Sequence, residues 1–258
     1  MAMLPVADAL ARILAGVSPL GAETVPLDAA AGRTLAADLA ARRDQPAVAV
    51  SSMDGYALRA ADGASTLKLV GVSAAGRGFD GQVGPGEAVR IFTGARLPDG
   101  ADAVQMQEKT HRDGETVTLL DAVPAGRFVR APGLDFRAGQ TLLAAGTRLT
   151  PAAIALAAAM NHADVAVARA PRVVILATGD ELVEPGTEPD RDQIVASNHL
   201  GVAAMARAAG AQATLLPIAP DDPQKLAAAL RAALALAPDV LVTIGGASVG
   251  EFDLVRDA

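Results

Sequence analysis

Three short strings in the C-terminal third carry residue types that handle phosphate and a divalent cation. The first is Thr178-Gly179-Asp180-Glu181 and the second is Asp221-Asp222-Pro223. The third is Gly245-Gly246-Ala247-Ser248-Val249-Gly250-Glu251-Phe252-Asp253. A glycine-rich loop has no side chains to hold an anion away, so its backbone N–H groups approach phosphate oxygens closely. Carboxylates are hard oxygen ligands, and Glu181, Asp221 and Asp253 together suit Mg²⁺ bridging such phosphates. Each string also has a plain structural reading. Gly245-Gly246 after a strand is often only a tight turn. Asp221-Asp222-Pro223 also reads as a helix cap, and Thr178–Glu181 as a loop entering a helix whose first turn favours an acid. Their recurrence at three successive strand ends argues for a shared site.

Those strand ends follow from the pattern around them. Arg172–Ala177 (RVVILA) is a continuous apolar run, as a buried parallel strand requires. An amphipathic helix is predicted over 198–209, with Ser197 or Asn198 as its cap, followed by a second strand over Ala213–Ile218. Asp221 and Asp222 cap a further helix, with Pro223 in its first turn, running to about Leu236. Asp239–Ile244 is the third strand. Strand–helix–strand–helix–strand with short links predicts a doubly wound parallel α/β sheet over 171–258, and such sheets bind ligands beyond the carboxyl ends of their strands.

The remainder divides into two further parts. Residues 45–140 read as an inserted all-β domain, a small barrel or sandwich. Apolar runs at Leu67–Val72, Ala88–Phe92, Ala103–Met106 and Thr116–Leu120 are separated by Gly, Pro and Asp turn signals. Asp113-Gly114 marks a hairpin. Residues 1–44 and 141–170 read as a discontinuous helical linker domain. Val6, Leu10, Ile13, Leu14 and Val17 have helical spacing, a second short helical stretch is expected near Asp28–Leu39, and Thr150-Pro151 opens a helix to about Met160. The fold class is therefore α/β multidomain.

Composition excludes several functions. With 22 basic and 29 acidic residues the net charge is −7, which disfavours nonspecific nucleic-acid binding. Aromatics make up 2% of the chain, too few for a base-stacking platform. There is no cysteine, so thiolate chemistry, iron–sulfur clusters and disulfides are excluded. Asp8 and Arg12 interrupt the first apolar stretch, unlike a signal peptide. The Ala/Leu-rich segment from Leu226 to Ala237 is too short to span a bilayer. A cytoplasmic protein with no membrane partner is the default. His111, His162 and His199 show no ligand spacing and read as solvated surface residues.

Taken in order, several strings resemble the molybdopterin molybdenumtransferase family, which includes bacterial MoeA and the E domain of gephyrin. They are Ser52-Met53-Asp54-Gly55-Tyr56-Ala57, Ile91-Phe92-Thr93-Gly94-Ala95, Pro98–Ala103, Met106-Gln107-Glu108, Thr178–Leu182, Ser197-Asn198, Asp221–Pro223 and Gly245–Gly250. The resemblance runs from the first helix to the last residue. It implies insertion of molybdate into adenylylated molybdopterin, with Mg²⁺-dependent release of AMP. It also implies that the 171–258 region is an incomplete molybdopterin-binding domain. Glu181, Asp221 and Asp253 match the family's acidic, metal-holding positions. Asp54, Thr93 and Asp135 match catalytic positions contributed by the β domain. Thr178, Gly179, Asp180, Ser197, Asn198, Gly245, Gly246, Ser248 and Gly250 match the pterin-binding strings. The implied assembly is a homodimer with its cleft between the α/β domain of one subunit and the β domain of the other. Molybdopterin adenylyltransferase is the implied upstream partner.

There are departures. Asp135 follows Arg130-Ala131-Pro132-Gly133-Leu134, where the family shows basic residues and Gly-Glu-Asp. Ala196 stands where the family often has Asp. The family's molybdate-binding strings would follow residue 258, so the resemblance implies a C-terminally truncated chain. The alternative function is a non-catalytic molybdopterin-binding or scaffolding module.

Overall fold

The computed structural model describes residues 4–245. The chain divides into two compact units. One comprises Pro26–Asp28 and Ala37–Val165; the other comprises Met1–Val25, Ala29–Ala36 and Ala166–Ala258. Four α-helices occur among the described residues: α1 (Val6–Ala15), α2 (Pro151–Ala159), α3 (Asn198–Ala208) and α4 (Pro223–Ala235). None is long and apolar enough to cross a membrane.

The first unit is built on one six-stranded sheet. Its strands are β1 (Gly55–Leu58), β2 (Thr66–Ser73), β3 (Glu87–Ile91), β4 (Ala103–Met106), β5 (Thr110–Asp113) and β6 (Thr116–Leu119). The order across the sheet is β4-β1-β3-β2-β6-β5. The β2–β3 ladder is parallel and the others are antiparallel. Alternation along each strand gives the sheet two apolar faces. Tyr56, Leu58, Leu67, Ala88, Ala103 and Val117 pack on one, and Ala57, Ile91, Ala95 and Val104 on the other. The predicted hairpin is present: Asp113 lies opposite Thr116, and Gly114 turns the chain with φ +55°. The order across the sheet ends at β4 and β5, so of the barrel or sandwich expected for this region a closed barrel does not form. Thr150 caps α2, its hydroxyl accepting from the Ala153 N–H, and Pro151 occupies the first turn.

The helix expected near Asp28–Leu39 does not form. Only a 3₁₀ turn, Leu27–Ala29, is present, and Leu39–Ala40 pairs with Thr141–Leu143. The Ala-rich composition favours a helix, but Gly32 takes φ +76° and the chain is then claimed by long-range ladders.

The second unit carries a parallel sheet of β7 (Arg172–Ala177), β8 (Gln212–Leu215) and β9 (Val240–Ile244), in the order β8-β7-β9. Val173 and Ile175 pack with Val202, Ala203 and Ala206 of α3. Leu176, one residue out of phase, packs with Leu226, Ala229 and Leu230 of α4. The helices therefore cover opposite faces, as a doubly wound sheet requires. β8 stops short of the expected Ile218. Leu216 still donates to the Ile175 carbonyl, but Pro217 has no N–H to continue the ladder. At the amino-terminal edge, Asp239 accepts both terminal nitrogens of Arg169, at 2.9 and 2.7 Å, and the Arg172 N–H at 2.7 Å. These bonds, with Arg169 foremost, hold the Asp239 carboxyl far below the usual carboxylate range.

Candidate functional site

At the carboxyl edge of the parallel sheet, the ends of all three strands are tied together. Thr178, which follows β7, is buried and donates its N–H to the Ile244 carbonyl at 2.9 Å. Gly179 donates to the Ala219 carbonyl at 3.1 Å. Gly245 approaches so closely, with φ +107°, that a Cβ there would strike the Thr178 carbonyl oxygen. Gly179 has φ +148°, and a Cβ on it would collide with the Glu181 carboxylate, which folds back over that space. Gly245 is required by backbone contact as well as by conformation, whereas at Gly179 the positive φ is the constraint, since the Glu181 side chain could swing aside.

The aspartate pair divides its roles. Asp222 is the cap of α4: its Oδ1 accepts from the Gln224 and Lys225 N–H groups at 3.0 and 2.9 Å. Asp221 uses its N–H, which donates to Asp180 Oδ1 at 3.1 Å. Its carboxylate has no hydrogen-bond partner among the described residues. Asp180, Glu181 and Asp221 are all exposed. Ser197 is the cap residue of α3, as expected, though its side chain makes no cap bond. Ser197 and Asn198 line a pocket of about 100 Å³ with Ala177, Leu182, Ile194 and His199. Gly246, Ser248, Gly250 and Asp253 lie outside the described residues. Among the described residues, no group of three His, Cys, Asp or Glu is gathered to hold a metal ion.

In the β unit, Asp54 and Thr93 come together from separate turns. Asp54 Oδ1 accepts the Thr93 N–H at 2.8 Å and the Thr93 hydroxyl at 2.7 Å. Those two bonds, aided by the positive charge of Arg90, hold the Asp54 carboxyl below its ordinary value. The turn before β1 is stitched by Ser51, whose hydroxyl donates to the Met53 carbonyl and accepts from the Met53 N–H. Gly94, with φ +79°, donates to the Ser51 carbonyl at 2.8 Å and so places Thr93 over Asp54. Asp135 is engaged elsewhere: Arg130 donates to both of its carboxylate oxygens, at 2.6 and 2.8 Å.

Two family models match this chain. Residues 4–161 match "MoeA N-terminal region (domain I and II)", and residues 174–258 match "Probable molybdopterin binding domain". The chain belongs to the MoeA family. It is 40% identical over 240 residues to a molybdopterin molybdenumtransferase of Nostoc sp., covering 90% of this chain and 55% of that protein. It is 38% identical to molybdopterin molybdenumtransferase 2 of Mycobacterium tuberculosis, covering 91% of this chain and 60% of the relative. A solved molybdopterin biosynthesis MoeA protein from Pyrococcus horikoshii superposes with a TM-score of 0.85 at 31% identity, covering 99% of this chain and 66% of that one. The chain thus spans between half and two thirds of the length of these MoeA relatives.

In this MoeA-family chain the structure adds residues that spacing and residue type alone did not single out. Arg90 and Gln107 flank the Asp54 turn, and Arg130 holds Asp135. The one signal for Arg90 is a lone cation between apolar residues, Ala88-Val89-Arg90-Ile91. The solvated reading of the histidines holds for His111 only. His162 is 9% exposed, with Nε2 bonded to the Ala40 carbonyl at 2.8 Å, and His199 is 5% exposed. Each is enclosed by backbone brought from a distant part of the chain or by a helix turned toward the sheet, which spacing along the sequence does not reveal.

Proposed function

We propose that this chain serves molybdenum cofactor biosynthesis, inserting molybdate into adenylylated molybdopterin with release of AMP. The observation that carries this reading is the convergence of Thr178–Glu181 with Asp221 at the carboxyl edge of a doubly wound sheet. That edge is where such folds bind phosphate-bearing ligands. The relatives named above, at 38–40% identity, are named molybdopterin molybdenumtransferases, which supports the molybdenum-transfer part of this reading.

The chemical type of these donors, though not a cluster gathered among the described residues, suits Mg²⁺. The carboxylates are hard and exposed, Asp222 takes the cap and leaves Asp221 available, and Gly179 makes room for Glu181. Glu181, Asp221 and Asp253 would hold the ion, which supplies Lewis-acid polarisation of the phosphoanhydride. Hydrogen bonds from Thr178, Gly179 and Asp221 hold the backbone beside Glu181 and Asp221, while Ser197 and Asn198 would offer polar contacts at one side of the pterin site. Asp54, oriented by Thr93, and Asp135, oriented by Arg130, belong to the same reaction from the β unit. In this proposal the working form is a cytoplasmic homodimer whose cleft joins the α/β unit of one subunit to the β unit of its partner. Molybdopterin adenylyltransferase supplies the substrate.

The test is to incubate the chain with adenylylated molybdopterin, Mg²⁺ and molybdate and to follow AMP. Mg²⁺-dependent AMP release, lost in Glu181→Ala, is the expected result. Tight binding with no AMP release would replace catalysis by a binding or scaffolding role, and no binding would reject both.

A further inference from the structure

Arg90 lies on β3 directly across the ladder from Tyr56. Its guanidinium carbon stands 5.1 Å from the centre of the Tyr56 ring and 4.8 Å from that of Phe92. One terminal nitrogen donates to the Gly55 carbonyl oxygen at 3.1 Å, and the other to Gln107 Oε1. Gln107 in turn donates its backbone N–H to the Asp54 carbonyl oxygen at 3.1 Å. The carbonyls of two successive residues, Asp54 and Gly55, are therefore captured by one connected pair of side chain and backbone. Gly55 is itself pinned: a Cβ there would run into the Gln105 carbonyl oxygen. A planar, delocalised fork lying against aromatic rings loses little further freedom when its hydrogen bonds form, and the rings add attraction of their own.

We propose that Arg90 is a positioning residue for Asp54, locking the backbone of the Asp54-Gly55 turn and setting a fixed positive charge beside the carboxylate. It touches no reacting atom. Its importance for turnover rests on the functional reading above, but its action on Asp54 does not. The groups facing Asp54 are Thr93 beyond β3, Gln107 beyond β4 and Arg90 on β3 itself. Of these Arg90 alone is charged. Thr93 fixes the direction of one carboxylate oxygen, whereas Arg90 fixes the peptide from which the side chain springs. Lysine would keep the charge but lacks the fork, so Arg90→Lys and Arg90→Gln separate field from geometry.

Two readouts on the full chain decide the matter without turnover. The Asp54 carboxyl is titrated by carbon-13 NMR, and amide exchange is followed at Gln107. In Arg90→Gln the Asp54 midpoint should rise, and exchange at Gln107 should quicken by about tenfold. In Arg90→Lys the midpoint should stay near wild type while exchange still quickens. An unchanged midpoint and unchanged exchange in Arg90→Gln overturn the proposal. Should that variant fail to fold, Arg90→Lys and Gln107→Leu carry the exchange test, and wild-type protection in both overturns it. Where the wild-type chain releases AMP, Arg90→Gln should lower kcat with KM little changed. A wild type that releases none sinks the functional reading, while the NMR measurements still decide the role of Arg90.

Discussion

The two polar clusters of this molecule are built in opposite ways. In the β unit the carboxylates are already committed: Asp54 is bonded twice by Thr93, and Asp135 is bonded by Arg130. At the carboxyl edge of the parallel sheet, the backbone is committed and, among the described residues, the Glu181 and Asp221 carboxylates have no hydrogen-bond partner. Asp180 receives one N–H. The first arrangement fixes the direction of a charge in advance. The second fixes only where the carboxylates stand and leaves their oxygens for something that arrives later, as a metal or phosphate would.

That contrast can be broken by substitution. The largest effect is expected at the sheet edge. If the proposed function holds, Asp221→Ala should slow AMP release by about a hundredfold, since it would remove a metal-holding oxygen, and leave the urea midpoint unchanged. Its neighbour should behave in the converse way, Asp222→Ala costing about 1 kcal/mol of stability by loss of the α4 cap while AMP release per folded molecule stays near wild type. Equal behaviour of the two would erase the division of roles.

A smaller effect is expected in the β unit. Thr93→Ala removes the hydroxyl but keeps the backbone N–H, so AMP release should fall by about tenfold, near the lower end of what one oriented hydrogen bond to a charge contributes. The Asp54 titration midpoint should rise toward the ordinary carboxylate value at the same time. A midpoint that stays put would show the hydroxyl bond to be incidental.

The smallest effect concerns neither cluster and serves as the control. Asp239 has its carboxyl depressed in the folded state, chiefly by Arg169. A depressed group contributes its full stabilisation above the unfolded value of about 3.9 and loses it as pH falls toward the folded value. Asp239→Asn should therefore lower the urea midpoint modestly at pH 7, with the difference from wild type shrinking in acid well below the usual carboxylate range. A difference that grows on acidification would reverse the sign of this linkage.

How much of this was legible in the sequence depended on whether the cause was local. β7 was readable because five consecutive apolar residues, Val173–Ala177, leave few alternatives. α4 was readable because Asp222-Pro223 is a self-contained start signal, and α2 because of Thr150-Pro151. The non-helical path near Asp28–Leu39 was not, since the ladder that claims Leu39–Ala40 lies about a hundred residues further along. Within the site, the carboxylates and glycines were visible as types. Their partners were not: Thr93 lies 39 residues from Asp54, and Arg90 is 35 from Gly55. Tertiary registry brought those groups together, and no single segment contains it.

One consequence reaches beyond the site. Asp221 and Asp222 are adjacent and chemically identical, but they should obey different rules of replacement. Position 222 asks only for a short side chain with an oxygen within reach of two amides, so Asn, Ser or Thr would serve there. On the proposed function position 221 asks for negative charge itself, and uncharged stand-ins should fail there. A library of variants across these two codons should therefore yield tolerance at one and intolerance at the next, a step that no gradient of burial or backbone shape would produce.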